Sequence, residues 1–146
     1  MNVTELIRYI EPTQNNGMKF VRRNMEGAIF MLNLLRFRDI ADYTSHPELA
    51  PNEPISGAEA FDRYMKHTLP FLHESDGEIV FMGNGGEYLI GPEDESWDFV
   101  MLIRQSSMQS FLAFSDHTAY LAGIGHRTAA LEDSRLLPIA EIPKVI

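Results

Sequence analysis

The most apolar run in the chain, Ala28 to Phe37, reads Ala-Ile-Phe-Met-Leu-Asn-Leu-Leu-Arg-Phe. Near-continuous apolarity marks a strand covered on both faces. This run is therefore expected to be the central strand of a covered sheet, with Asn33 as the polar residue in its middle. Trp97 to Arg104 alternates Phe99, Met101 and Ile103 against Val100 and Leu102, and reads as another strand. Glu78 to Gly83 alternates Ile79 and Phe81 against Val80 and Met82, then meets Asn84-Gly85, a strong turn signal. With Glu87 to Gly91 continuing as strand, this stretch is either a tight hairpin or one long strand bent at a glycine bulge. Leu136, Leu137 and Ile139 form the expected last strand.

Helical spacing fills the intervals. Phe61, Tyr64, Met65, Thr68, Phe71 and Leu72 recur at three- and four-residue steps, the stripe of a helix with one buried face. Ser56-Gly-Ala-Glu59 has capping-box spacing and starts that helix at Gly57. Pro70 removes one backbone hydrogen bond and is expected to kink the helix rather than end it. Ser106-Ser-Met-Gln109 repeats the capping-box spacing ahead of Phe111, Leu112 and Phe114. Asp116 caps a further piece with Tyr120 and Leu121, which Gly123 and Gly125 break. Residues 125–133 read as a polar, helical connection. Ahead of the first strand, Asn2 or Thr4 caps a short helix carrying Leu6, Ile7 and Ile10. Pro12 opens a second with Met18, Phe20 and Val21, weakened by about 1 kcal/mol at Gly17. Residues 38–55, with Pro47, Pro51 and Pro54, are a long loop of the kind that serves as a lid, a functional loop or an insertion.

The core order is therefore strand, helix, strand or strands, helix, strand. That is the split βαβ, ferredoxin-like plan of the α+β class, an antiparallel βαββαβ sheet with two main helices on one face. Residues 1–27 form a helical extension and 28–146 the ferredoxin-like domain. Strands apolar on both faces need cover on both sides, and a second copy of the chain across a two-fold axis is the expected cover for the helix-free face.

Composition narrows the chemistry. With 146 residues the chain is one ordinary domain, and with no cysteine it has no disulfide, thiolate nucleophile or zinc–thiolate site. No apolar run reaches the roughly 18 residues of a membrane span, and the start lacks signal-peptide order, so a cytoplasmic location is expected. The net charge of −9 argues against nucleic acid or an anionic membrane as partner. Residues 1–38 are net basic while residues 39–146 carry the acidic excess, so the leading segment either lies on an acidic body or is simply a solvated surface.

Candidate site residues come from three stretches. Asn33 is either aimed into a pocket between sheet and helices or satisfied by backbone at a sheet edge or bulge. Tyr64 and His67 are three apart on one side of the first core helix, and a histidine of near-neutral pKa can act as a general base. The other role open to His67 is a hydrogen bond to a carbonyl. His126-Arg127 follows two glycines, where a ligand can approach the backbone closely, and arginine offers a planar fork for a carboxylate. The alternative there is a salt-bridge network with Glu132, Asp133 and Arg135. His46 and His117 carry no usable pattern, and the spacing of His67 and His73 is not a metal motif. Gly83-Asn-Gly-Gly86 lacks the lysine and helix of a phosphate loop. No serine-nucleophile or zinc-hydrolase motif is present.

Residues 28–140 resemble the family known as domain of unknown function 1330. The resemblance is carried by Met31-Leu-Asn-Leu-Leu-Arg36, Phe61-Asp-Arg-Tyr64 and Gly77 opening the second strand. It continues in Tyr120-Leu-Ala-Gly-Ile-Gly-His-Arg127 and Leu131-Glu-Asp-Ser-Arg135. It implies a dimeric α/β-barrel, a group that includes cofactor-independent monooxygenases, muconolactone-isomerase-like proteins and haem enzymes. The leading helices and the 38–55 loop are additions to the family pattern. The expectation drawn from residues and resemblance together is a homodimeric small-molecule-binding protein of the dimeric α/β-barrel type; whether it is an enzyme is left open, and an enzyme of this kind would act without a cofactor on an apolar or aromatic organic acid. In it Arg127 holds an anionic group, His67 or His126 moves a proton, and Asn33 and Tyr64 orient the substrate. A non-catalytic binding or sensing module and haem chemistry through His126 are the rival readings.

Overall fold

The computed structural model describes residues 7–144. Its elements run α1 (Gln14–Arg23), β1 (Ile29–Phe37), α2 (Gly57–Glu74), β2 (Glu78–Glu87), β3 (Ser96–Gln105), α3 (Met108–Ser115), α4 (Thr118–Leu121), α5 (Ile124–Ala130) and β4 (Leu131–Ala140). The four strands form one sheet in the order β2-β3-β1-β4, with every pair antiparallel. This is the ferredoxin-like arrangement, with the apolar run β1 at its centre, as its composition requires.

The pleat of β1 sorts the sheet into two faces. Ile29, Met31, Asn33 and Leu35 share one face with their partners Gln105, Ile103, Met101 and Phe99 on β3. The helices pack on this face. Leu35 and Met101 join Phe61 and Tyr64 of α2, Tyr120 of α4 and Ala129 and Ala130 of α5 in the main core. Ile29, Met31 and Met108 form a smaller cluster with Phe20 of α1 and Phe111 of α3. Burying one such side chain contributes roughly 1.5–3 kcal/mol. The opposite face carries Phe30, Leu32, Leu34, Val100 and Leu102, flanked by the exposed Phe81 and Leu137. Neither core cluster extends to it among the described residues.

Local sequence explains most boundaries. Ser56 caps α2 by accepting from the Glu59 amide at 3.0 Å, and its hydroxyl reaches the Glu59 carboxylate. The helix runs on through Pro70 to Glu74, as expected. Thr13 caps α1, and Asn24 ends it in the left-handed conformation that asparagine tolerates. The expected first helix of the extension lies partly outside the described residues, and its described part, 7–13, is irregular.

Of the two readings open for the Asn84-Gly85 stretch, the long strand holds and the hairpin does not: β2 continues through Asn84-Gly85-Gly86, with Asn84 opposite Phe99 and Gly86 opposite Trp97. A Cβ at Gly85 would lie 2.4 Å from the Trp97 carbonyl oxygen, so the glycine admits a close backbone rather than a turn. The bulge falls at Val80, between Ile79 and Phe81, and β2 stops at Glu87 rather than continuing to Gly91. On the other side of the sheet, β4 begins at Leu131, so Glu132, Asp133 and Arg135 stand on the strand and not on a helical connection. Pro138 is tolerated there because β4 is an edge strand. Finally, the second core helix is capped by Ser107, and the piece after it by His117, not by Ser106 and Asp116.

Two bases of the net-basic stretch pair with carboxylates of the last strand, and others bond backbone. Arg36 sits opposite Asp133 across β1 and β4, 3.6 Å from its carboxylate, and Arg38 is 3.6 Å from that of Glu132. Arg8 gives hydrogen bonds to the Leu131 and Glu132 carbonyls. The 38–55 loop is docked rather than lid-like: Asp42 N–H bonds the Ala129 carbonyl and Tyr43 is buried against α5.

Candidate ligand cavity

Between the sheet and its helices lies a cavity of about 990 Å³. Met31, Met101 and Ile103 line it from the sheet, Met65 from α2, and Phe111 and Phe114 from α3. Residues 9–13 and the inward side of α1 close another wall. They are held there by Asp133, which accepts from the Tyr9 amide at 2.8 Å, by Ser134, whose hydroxyl bonds the Tyr9 carbonyl, and by Arg127, which bonds the Ile10 carbonyl.

A few polar groups interrupt this apolar wall. The hydroxyls of Tyr64 and Tyr120 are 2.7 Å apart. Burial, and then the neighbouring Tyr64, push the Tyr120 ionisation far up, with the Arg127 charge opposing. Asn33 lines the cavity, and its side-chain amide gives a hydrogen bond to the Met31 carbonyl at 3.1 Å. Asn33 stands at neither an edge nor a bulge, since β1 is an inner strand paired regularly there; backbone still takes its nitrogen, while its oxygen has no partner among the described residues. Thr68 and Gln105 also line the space.

The charges are uneven. Lys19, Arg23, Arg127 and Arg135 line the cavity against one carboxylate, Glu11. Arg135 is neutralised by Asp133 at 2.9 Å and Glu95 at 3.1 Å, and stacks over the Tyr9 and Trp97 rings. The salt-bridge network expected near the last strand therefore centres on Arg135. Arg127, half-buried, has no ion pair among the described residues.

Asn33, Tyr64 and Arg127 thus line one cavity. His67 and His126 do not. This corrects the expected convergence of Asn33, His67 and His126. The His67 ring bonds the Ala119 carbonyl at 2.8 Å and packs against Phe71. His126 turns away toward the 38–55 loop, with Nδ1 2.7 Å from the Tyr43 hydroxyl. Burial, then the nearby Arg63 and His67, lower its pKa. Tyr120 and Gln105 had no place in the sequence-based site. Gln105 was signalled by the alternation of β3, since it continues the inward series Phe99, Met101, Ile103 one step further.

The fold and cavity define a ferredoxin-like protein with a preformed pocket on the helical face of its sheet. The chain belongs to the family of RPA0582, a protein of unknown function from Rhodopseudomonas palustris. A crystal structure of that protein is 33% identical over 94% of this chain and 100% of its own, with a TM-score of 0.81. The methylated form of RPA0582 gives 33% identity over 94% and 97%, with a TM-score of 0.83. A dimeric protein of unknown function with a ferredoxin-like fold from Bacteroides fragilis is 12% identical over 80% of this chain and 99% of its own, with a TM-score of 0.48. No protein-family model and no curated protein matches the chain.

Proposed function

We propose that the protein binds an apolar organic acid in the cavity between sheet and helices. The observation that carries this reading is Arg127, a guanidinium without an ion pair among the described residues on the wall of a largely apolar space. Such a group takes a carboxylate with two parallel hydrogen bonds, and the excess of cations over Glu11 favours an anion further. Tyr120, held protonated, donates or accepts a hydrogen bond beside it, and the free oxygen of Asn33 orients a donor on the ligand. The apolar side chains take the body of the molecule, as in pockets that bind small ligands.

The cavity's groups favour binding over turnover. None of the five histidines lines it, so neither the proton transfer assigned to His67 or His126 nor haem ligation by His126 has a side chain facing the space. The lining carboxylate, Glu11, is exposed. Calorimetric titration with decanoate tests the reading. The wild type binds, and Arg127→Gln weakens binding about tenfold, or roughly 1.4 kcal/mol. No heat of binding with the wild type contradicts it. Consumption of the acid in the same cell would return the cofactor-independent enzyme to first place.

We also infer a two-fold homodimer joined through the helix-free sheet face. Its support is the apolar character of Leu32, Leu34, Val100 and Leu102, with Phe81 and Leu137 exposed beside them, a patch too extensive to leave in water. Light scattering should give about twice the 16.6 kDa chain mass. The assignment to domain of unknown function 1330 belongs to the same proposal and rests on the Met31–Arg36 and Tyr120–Arg127 motifs.

A further inference from the structure

The inward face of β3 ends its apolar series with an amide. Gln105 is 1% exposed and lines the same cavity as Arg127. A buried primary amide has two donors and an acceptor to satisfy. Its contact is the Ser75 hydroxyl, 3.5 Å from Oε1, at the outer limit of hydrogen bonding. Ser75 has one hydroxyl proton and gives it to the Leu72 carbonyl at 2.7 Å. The Gln105 amide therefore lacks a full-strength partner among the described residues. The Thr68 hydroxyl, on a side chain 6% exposed, is also buried without one.

Gln105 and Arg127 mark opposite ends of the space. Gln105 sits beside the C-terminal end of α2: a Cβ at Gly77 would meet both Leu72 Cδ1, at 2.5 Å, and Gln105 Nε2, at 3.0 Å. Tyr64, whose hydroxyl meets that of Tyr120 close to Arg127, is two turns earlier on the same helix. From Tyr64 to Leu72 the helix rises about 12 Å at 1.5 Å per residue. Met31, Met101, Ile103 and Leu69 line the interval. Arg127 lies at one end of the cavity and the Gln105 amide at the other, with an apolar stretch between them, and Arg23 of α1, which bonds the Pro138 carbonyl, also lines the wall.

The geometry points to an elongated acid that carries a hydroxyl or carbonyl oxygen at the end remote from its carboxylate. The carboxylate lies on Arg127 and the distal oxygen accepts from the Gln105 amide. This inference rests on the reading that Arg127 takes the anionic group, and it adds the selectivity. A site that hydrogen-bonds a ligand oxygen discriminates against the analogue lacking it, because its own buried group is then left unpaired.

The test compares decanoate with 10-hydroxydecanoate by calorimetric titration of the full chain. The wild type should bind the hydroxy acid roughly fivefold more tightly. Gln105→Leu should bring the ratio to about one while retaining decanoate, and Gln105→Met should do the same with a closer shape. Arg127→Gln should weaken both acids together. Equal binding of the two acids by the wild type overturns the inference while leaving the Arg127 reading intact. A preference that persists in Gln105→Leu or Gln105→Met also overturns it. Failure of the wild type to bind either acid overturns both.

Discussion

The hydroxyls of Tyr64 and Tyr120 meet at 2.7 Å across α2 and α4, beside the cavity and within the main core. Each satisfies the other in a place with little access to water. Removing one leaves its partner buried and unpaired, at a cost of about 1–3 kcal/mol. Tyr120→Phe should therefore destabilise the protein by that amount in urea unfolding. Adding Tyr64→Phe should recover part of the loss, because the stranded hydroxyl goes with it. Additive losses in the double variant would contradict a shared hydrogen bond.

His126 makes stability depend on pH. Its pKa is lowered in the folded protein, by burial first and then by Arg63 and His67. The unfolded chain therefore binds more protons than the folded one in the interval below the ordinary value of 6.5. The stabilisation is full above that value and is lost as pH falls through the lower, folded one. Urea midpoints measured from pH 7.5 down to pH 5 should fall, and should fall less for His126→Gln. An equal slope in the variant would assign the loss to other groups.

Two glycines should respond in opposite directions. A Cβ at Gly57 would lie 2.2 Å from the Arg38 carbonyl oxygen and 2.7 Å from that of Ala130, both backbone atoms with little room to move. Gly57→Ala should cost about 3 kcal/mol. Gly17, inside α1, has nothing within 4 Å of that position. Gly17→Ala should stabilise by about 0.5–1 kcal/mol. Thermal unfolding of the two variants checks both signs.

Asp133 anchors the wall formed by the N-terminal segment. It is buried, accepts from the Tyr9 and Ser134 amides, and faces both Arg36 and Arg135. Removing one partner of a buried ion network typically costs 3–5 kcal/mol, so Asp133→Ala should destabilise by roughly that amount. Amide exchange at Tyr9 should accelerate beyond what the global loss accounts for. Unchanged exchange there would separate the segment from Asp133.

Apolar pattern carried the fold well because β1, β3 and α2 bury on the helical face what the pattern shows. Ala28–Phe37 became β1, the Ser56 cap began α2 at Gly57, and Phe99, Met101 and Ile103 turned inward together. The pattern failed where backbone or charge, rather than apolar burial, decides the structure. Gly85 reads as a turn signal, yet its missing side chain admits the Trp97 carbonyl within a continuous strand. The first half of β4 is polar because Asp133 and Ser134 hold the N-terminal segment, so no hydrophobic period announces it. His67 shares a side of α2 with Tyr64 in projection, but the buried line runs Tyr64, Thr68, Leu72, which leaves His67 to the Ala119 carbonyl. Arg135 finds Asp133 on its own strand and Glu95 across the fold, whereas no carboxylate among the described residues reaches Arg127, and no spacing in the sequence shows that difference.

Whether the cavity under the helices takes an apolar acid, with its carboxylate on Arg127, is decided by where such an acid sits in a crystal. Crystals grown with 10-bromodecanoate test it directly through the anomalous signal of bromine. A bromine peak is expected inside the cavity near Leu72 and Gln105, with the carboxylate against the Arg127 guanidinium. A peak lying instead on the helix-free face, over Leu34 and Val100, or a cavity left without the acid at saturating concentration, would contradict it.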